Sequence, residues 1–375
     1  MRFEEDRQFL QQHGEILRLS SPGGGQVLVS PQYQGRVMTS AVRADAESLG
    51  WLNRPFISAG KTGTPFDNFG GEDRLWLGPE GGQFAIFFAP NAPFEYANWQ
   101  VPHALQEGRW NVVEQSASTV LFDRDLELTN YSGHHFSIQI RRRITLLDAA
   151  SVKAALGLAP PSEVEWVAFE SDNTLTNTGK GAWTPEKGLL SLWSLSQFQP
   201  TPDTQVIIPY DVSGTGPIVC DNYFGKVPAD RLKVLESHKV LKFKCDGLHR
   251  SKIGLGPKRA GSIAGSYSAG ARLLTLAQFN RNLAEQRYVN SLWELQQEPY
   301  AGDVINSYND GPVQPGQASQ GGFYELETSS PAIALAPGAT MRHLHRTLHF
   351  VGDQRALNPI VKATLGCALD QVYGS

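Results

Sequence analysis

An all-β fold, a large antiparallel β-sandwich with a few short helices, is the architecture this chain predicts. Apolar residues recur mostly with a period of two, and β-branched and aromatic residues concentrate in those runs. The 37 Gly and 23 Pro in 375 residues supply turns enough to close many hairpins.

Alternation and punctuation place strands at 26–30, 36–42, 84–89, 118–129, 135–147, 163–175, 189–196, 205–209, 240–244, 273–279, 322–328 and 341–350. Helical patterns are few. Residues 4–13 carry apolar side chains only at Phe9 and Leu10. Residues 148–156 open on Asp148, a cap, and end at Gly157. A C-terminal helix is expected over 358–372, with Pro359 at its first position. No Pro/Gly/Ser-rich linker and no fixed repeat divides the chain, so 1–375 reads as one sandwich domain.

Apolar content of 41% and charged content of 19% provide a substantial core and exclude a disordered chain. The net charge of -4 argues against nucleic acid as a partner. The one basic run, Arg141-Arg142-Arg143, would split between two faces of a strand and reads as a solvated edge. Cys220, Cys245 and Cys367 are far apart and form neither a disulfide framework nor a zinc pattern. No run approaches the roughly 18 apolar residues of a membrane span. The charged N-terminus lacks the apolar core of a secretory signal, so a cytoplasmic protein is expected unless a leader has been trimmed.

The stretch with most chemistry is Gly322–Thr328, followed by a Pro337-Gly338 turn and 341–350. It reads as a hairpin. Alternation puts Glu325 and Glu327 on one face, and His343, His345 and His349 together on the partner strand, with Glu327 roughly opposite Leu348 or His349. Two carboxylates on one face imply either a solvated surface or a polar cleft for acid/base chemistry or sugar binding. An H-x-H on a strand can ligate a metal, but a third ligand would have to come from elsewhere, and satisfied or partly exposed histidines are the default.

Three loops join this candidate site. Within 70–82, Arg74 and Trp76 share a face; an indole stacks on the C–H face of a sugar while a guanidinium donates to hydroxyls. A buried Trp with an Arg74 ion pair to Asp73 or Glu80 is the structural alternative. Within 243–257, Asp246, His249, Arg250 and Lys252 crowd a turn at Gly247, where each shifts the others' pKa; a charged surface hairpin would look the same. Within 299–312, Asn306, Tyr308 and Asn309 offer hydrogen-bonding groups, and Asn309-Asp310-Gly311 is itself a turn. There is no G-x-G-x-x-G opening a helix and no P-loop, so no organic cofactor is implied.

Leu326-Glu327-Thr328, followed by Leu335-Ala336-Pro337-Gly338 and an aromatic-ended strand, resembles the C-terminal part of the galactose mutarotase-like (aldose 1-epimerase) superfamily. Residues 70–80, 246–252, 306–312 and 323–331 together resemble an uncharacterised bacterial family placed within it. The resemblance implies a β-supersandwich whose concave face takes a mono- or oligosaccharide, with Glu327 as general base and Glu325 as its alternate. It also implies a histidine acid after a Leu-Thr-Asn segment. Here Thr178 follows Leu175-Thr176-Asn177, so His249 is expected as the substitute acid, then Asp246 or Lys252. Arg74, Trp76, Glu80, Arg250, Lys252, Asn306, Tyr308 and Asn309 would contact the sugar. A non-catalytic carbohydrate-binding protein, or a sugar lyase or glycosidase using Tyr308 and Asp310, are the alternatives on the same fold.

Overall fold

The computed structural model describes residues 1–314 and 316–373. Its strands form three antiparallel sheets. A ten-stranded sheet runs, in spatial order, through Leu232–Leu235, Val240–Lys244, Gln205–Pro209, Ile263–Ser268, Leu273–Phe279, Thr340–Val351, Glu165–Asn177, His135–Leu146, Thr119–Thr129 and Asn111–Gln115. A five-stranded sheet, ordered Ser251–Leu255, Ile305–Asn309, Tyr324–Ser329, Ser191–Phe198 and Arg74–Gly78, lies over it. The third sheet is the meander Leu17–Ser20, Gln26–Ser30 and Arg36–Ala41. The expected antiparallel all-β architecture is therefore present.

Two apolar clusters fill the space between the two larger sheets, one of them joining Leu75, Leu77 and Leu192 of the smaller sheet to Val120, Ile140 and Leu175 of the large one. Val206, Phe243 and Ala277 of the large sheet meet Ile253, Ile305 and Leu326 of the smaller one. On the outer face of the large sheet, Leu357, Ile360, Val361 and Leu365 of the helix Gln354–Leu365 bury Leu274, Leu276 and Leu348. The short helix Ala149–Leu156 joins them; Asp148 accepts from the Ser151 N–H, and Gly157 closes it in the left-handed region at φ 77°. Among the described residues no helix is long and apolar enough to cross a membrane.

The inter-sheet space also holds a polar layer. Arg142 is fully buried in the strand His135–Leu146; it donates to Asn173 Oδ1 at 2.7 Å and to the carbonyls of Gly35 and Asp73 at 2.9 Å, and its Nη2 sits 3.2 Å from Asp73 Oδ2. The Arg triplet does split between faces, Arg141 outward and Arg142 inward. Its strand, however, lies between two others, not at an edge. Burying Arg142 is tolerated because its donors find fixed acceptors.

The expected hairpin is overturned. Tyr324–Ser329 pairs with Ile305–Asn309 and Ser191–Phe198, whereas Thr340–Val351 pairs with Leu273–Phe279 and Glu165–Asn177 in the other sheet. The chain crosses between layers where a hairpin would have turned back. The three histidines thus face the interior: His343 Nε2 and His345 Nδ1 meet Thr328 Oγ1 at 2.9 and 2.8 Å, and His349 Nε2 lies 3.1 Å from Glu72 Oε2. Burial pulls the His343 pKa down to about 3, so it sits there neutral.

Two further expectations fail. Residues 84–89 form no strand; Phe87 packs its ring against Trp76, Trp99 and Trp193 instead of laddering. The C-terminal helix begins earlier, at Gln354, leaving Pro359 inside it, and stops at Gly366 before a separate Leu369–Tyr373 turn of helix. Ser251–Leu255 and Ile305–Asn309 escaped the periodicity because both their faces are buried, and Leu232–Leu235 because its middle residues Lys233 and Val234 are both exposed.

Candidate functional site

Register in the five-stranded sheet assembles the site. Lys252, Tyr308 and Glu325 stand in one cross-strand row, and Gly254, Asn306, Glu327, Leu195 and Arg74 in the next. Directly paired residues share a face, so these side chains emerge on the side away from the large sheet. A third row places Trp193 beside Trp76. Gly254 leaves room for two polar side chains of the site, since a Cβ there would fall 2.0 Å from Asp303 Oδ2 and 2.5 Å from Asn306 Nδ2.

Over this face lies a cleft of about 70 Å³, several times the roughly 10–15 Å³ that one water needs. Its floor is ionisable: Arg74, Lys252, Glu325 and Glu327. Its walls are aromatic, Trp76 and Trp193 from the sheet and Tyr96, Trp99, Phe224 and Trp293 from loops above. Tyr96, Trp99 and Trp293 stack in sequence, with centroids 6.2 and 6.3 Å apart and rings within 20° of parallel.

Each acidic group has different company. Glu327 is 1% exposed; its Oε2 accepts from Lys252 Nζ at 2.9 Å and from Trp193 Nε1 at 3.0 Å, while its Oε1 has no partner among the described residues. Glu325 Oε1 accepts from Arg74 Nη2 at 3.0 Å. Burial nevertheless pushes the Glu325 pKa up to about 8: desolvation outweighs the help of Arg74, and the neighbouring Glu327 charge adds to it. The protonated acid keeps the Arg74 bond, because an oxygen of a neutral carboxyl still accepts. Burial also raises the Glu80 pKa. Lys252 is held above its ordinary value, since Glu327, Glu80 and Glu325 outweigh the burial that pulls it down. The Arg74 guanidinium lies 4.0 Å over the Trp76 ring, with Nε and Nη1 unpartnered among the described residues.

Glu327, Glu325, Arg74, Trp76, Glu80, Arg250, Lys252 and Tyr308 all line this one cleft. Asn306 lines a small polar chamber beside it, donating to the Tyr223 hydroxyl at 3.1 Å. Tyr223 in turn donates to Asp303 Oδ2 at 2.5 Å, and burial lifts the Asp303 pKa to about 6.

Three expected site residues lie elsewhere. His249 is exposed on the turn and lines no part of the cleft. Asp246 is spent on Arg231 and Lys244; burial raises its pKa, but the hydrogen bonds from Arg231 and the Leu248 N–H win and bring it to about 2, unsuited to donating a proton. Asn309 is a brace for that turn, accepting from the Gly247 N–H and donating to the His249 carbonyl, both at 2.8 Å. Thr178 is exposed at the end of its strand. Tyr308, which lines the cleft, donates to Asp310 Oδ1 at 3.1 Å.

Trp193, Trp99, Trp293, Phe224, Tyr223 and Asp303 were not anticipated. Four of the chain's eight tryptophans meet at the cleft, a concentration that counting Trp by strand and loop could have suggested. Among the described residues no group of three or more His, Cys, Asp or Glu is arranged to hold a metal, and Cys220, Cys245 and Cys367 are free.

Solved structures with the same fold are distant in sequence. A provisionally assigned aldose 1-epimerase from Escherichia coli K12 superposes with a TM-score of 0.53 at 15% identity, covering 89% of this chain and 98% of its own. The Slr1438 protein from Synechocystis sp. PCC 6803 gives 0.53 at 11%, covering 90% and 96%. A galactose mutarotase-like protein from Lactobacillus casei gives 0.51 at 13%, covering 90% and 100%. No curated protein matches in sequence. The fold is thus that of the galactose mutarotase-like proteins. A family model matches the whole of residues 1–375, and the chain belongs to that family, the family of unknown function DUF6786.

Proposed function

We propose that the cleft binds a carbohydrate and interconverts it at its anomeric centre, with Glu327 as general base and Glu325 as general acid. The observation that carries this reading is two buried carboxyl groups, two residues apart on one strand, in surroundings that separate their roles. Their Cα atoms are about 6.5–7 Å apart by strand geometry, a spacing that spans a sugar's hemiacetal.

Glu327 Oε1 is buried without a partner among the described residues, an acceptor left for an anomeric hydroxyl that enters the cleft, and Glu325 holds a proton at neutral pH. In ring opening the anomeric O–H proton passes to Glu327 as the bond from C1 to the ring oxygen breaks, and Glu325 gives its proton to that oxygen. Closure on the other face of the carbonyl returns both protons. Lys252 and Trp193 hold Glu327 in place, so Lys252 takes a supporting position rather than the acid role. The aromatic walls suit stacking on a sugar's C–H face, and the mutarotase-like fold of the neighbours supports the same ligand class.

A second reading, a non-catalytic sugar-binding protein, is favoured by one observation: Thr178, which stands where the superfamily resemblance expects a histidine acid, is exposed and away from the cleft lining. Proton NMR of freshly dissolved α-anomers separates the two. Enzyme-dependent equilibration lost in Glu327→Gln supports catalysis. Saturable binding without acceleration for any sugar supports the second reading.

A further inference from the structure

The cations of the cleft are not equally committed. Arg74 is bonded to Glu325 and Lys252 to Glu327. Arg250 also lines the cleft, yet among the described residues it enters no ion pair, and its Nε is buried without an acceptor. Its guanidinium is fixed by stacking, 3.6 Å from the Phe224 ring centroid and 5.9 Å from that of Tyr96. The backbone beneath is locked as well, since a Cβ on Gly311 would fall 2.3 Å from the Arg250 nitrogen. Glu80 also lines the cleft; burial raises its pKa and the charges of Lys252 and Arg250 oppose that, but among the described residues it makes no ion pair with Arg250.

Stacking matters for what such an arginine recognises. With a ring against its face, a guanidinium offers its N–H donors at the edge, in plane, which is the fork that fits a planar carboxylate. Arg250 is half-buried beside Tyr308 and Glu80, and its buried Nε is a donor left for a ligand acceptor to take. We propose that the sugar taken by this cleft is a sugar acid, whose carboxylate pairs with Arg250 while its anomeric end lies over Glu325 and Glu327. This rests on the carbohydrate reading above and adds to it the class of sugar.

Calorimetric titration with D-glucose, D-glucuronate and D-glucose 6-phosphate tests it, with anomeric exchange followed by NMR in parallel. Glucuronate is expected to bind at least tenfold tighter than glucose at pH 7, with a preference that shrinks as salt rises. Arg250→Gln should weaken glucuronate at least tenfold more than glucose, and Arg250→Lys, which keeps charge but loses the fork, should lose most of the preference. Equal binding of glucose and glucuronate, or an unchanged preference in Arg250→Gln, overturns the inference and leaves the sugar reading standing. Tighter binding of the 6-phosphate than of glucuronate overturns the carboxylate assignment. Glucuronate bound by Arg250 but not equilibrated supports the inference and removes the catalytic reading. No binding of any of the three overturns both.

Discussion

Lys252 Nζ lies 2.9 Å from Glu327 Oε2, and both side chains are more than nine-tenths buried. The ammonium rests 4.8 Å over the Trp193 ring, whose indole N–H donates to the same carboxylate oxygen. A pair so enclosed is worth most when both partners are present, because removing one strands the other's charge.

Lys252→Met is therefore expected to cost about 3–5 kcal/mol of stability. The double variant with Glu327→Gln should recover part of that loss. Urea unfolding of the two single variants and the double variant measures the coupling. Additive losses would mean that the pair is not a unit.

Glu327→Gln should also lower any anomeric rate by about 10²–10⁴-fold, the usual share of a general base. A glucose anomer followed by polarimetry checks this.

Glu325 makes stability depend on pH in an unusual direction. Its pKa rises from 4.5 to about 8 on folding, so between those values the native state binds more protons than the unfolded one. Stability then falls as pH rises through that window, with a slope of up to about 1.4 kcal/mol per pH unit. Asp303, lifted from 3.8 to about 6, adds the same trend lower down. Glu325→Gln should flatten the curve between pH 6 and 8, measured by thermal melts. The acid role adds a kinetic signature, a fall in rate above about pH 8.

His249→Ala and Asp246→Asn should leave sugar turnover within about twofold, because neither side chain lines the cleft. Asp246→Asn should still lower stability, since Arg231 and Lys244 lose their partner. A large loss of rate without unfolding in His249→Ala would restore that residue as the acid.

Gly254→Ala is expected to cost about 1–3 kcal/mol, since its methyl would collide with Asp303 and Asn306. Combining it with Asp303→Ala should relieve part of the cost, which a melting series would show.

The strand content was legible because alternation survives wherever one face of a strand is buried and the other is not. The run His135–Leu146 has that pattern almost without fault. Ser251–Leu255 and Ile305–Asn309 are buried on both faces, and their pattern vanishes. The shared face of Glu325 and Glu327 followed from the period of two, and so did that of Arg74 and Trp76. What sequence proximity could not settle was pairing. Tyr324–Ser329 and Thr340–Val351 are neighbours in the chain but belong to different layers, so the histidines ended in the interior rather than beside Glu327. Proximity also misled at the Gly247 turn. Arg250 and Lys252 reach the cleft, but Asp246, before the turn, pairs with Arg231, and His249, next to Arg250, is exposed to solvent.

Consecutive residues of one strand serve two unlike surroundings. Glu327 faces the cleft, whereas Thr328 reaches into the sheet interface, where its hydroxyl meets His343 and His345. A single inserted or deleted residue inside Tyr324–Ser329 would exchange them, sending a carboxylate toward neutral histidines and a hydroxyl into the cleft. Length changes should thus be rejected within the strand. In a library of indels, the edge of tolerance along this segment would trace the site without any knowledge of its ligand.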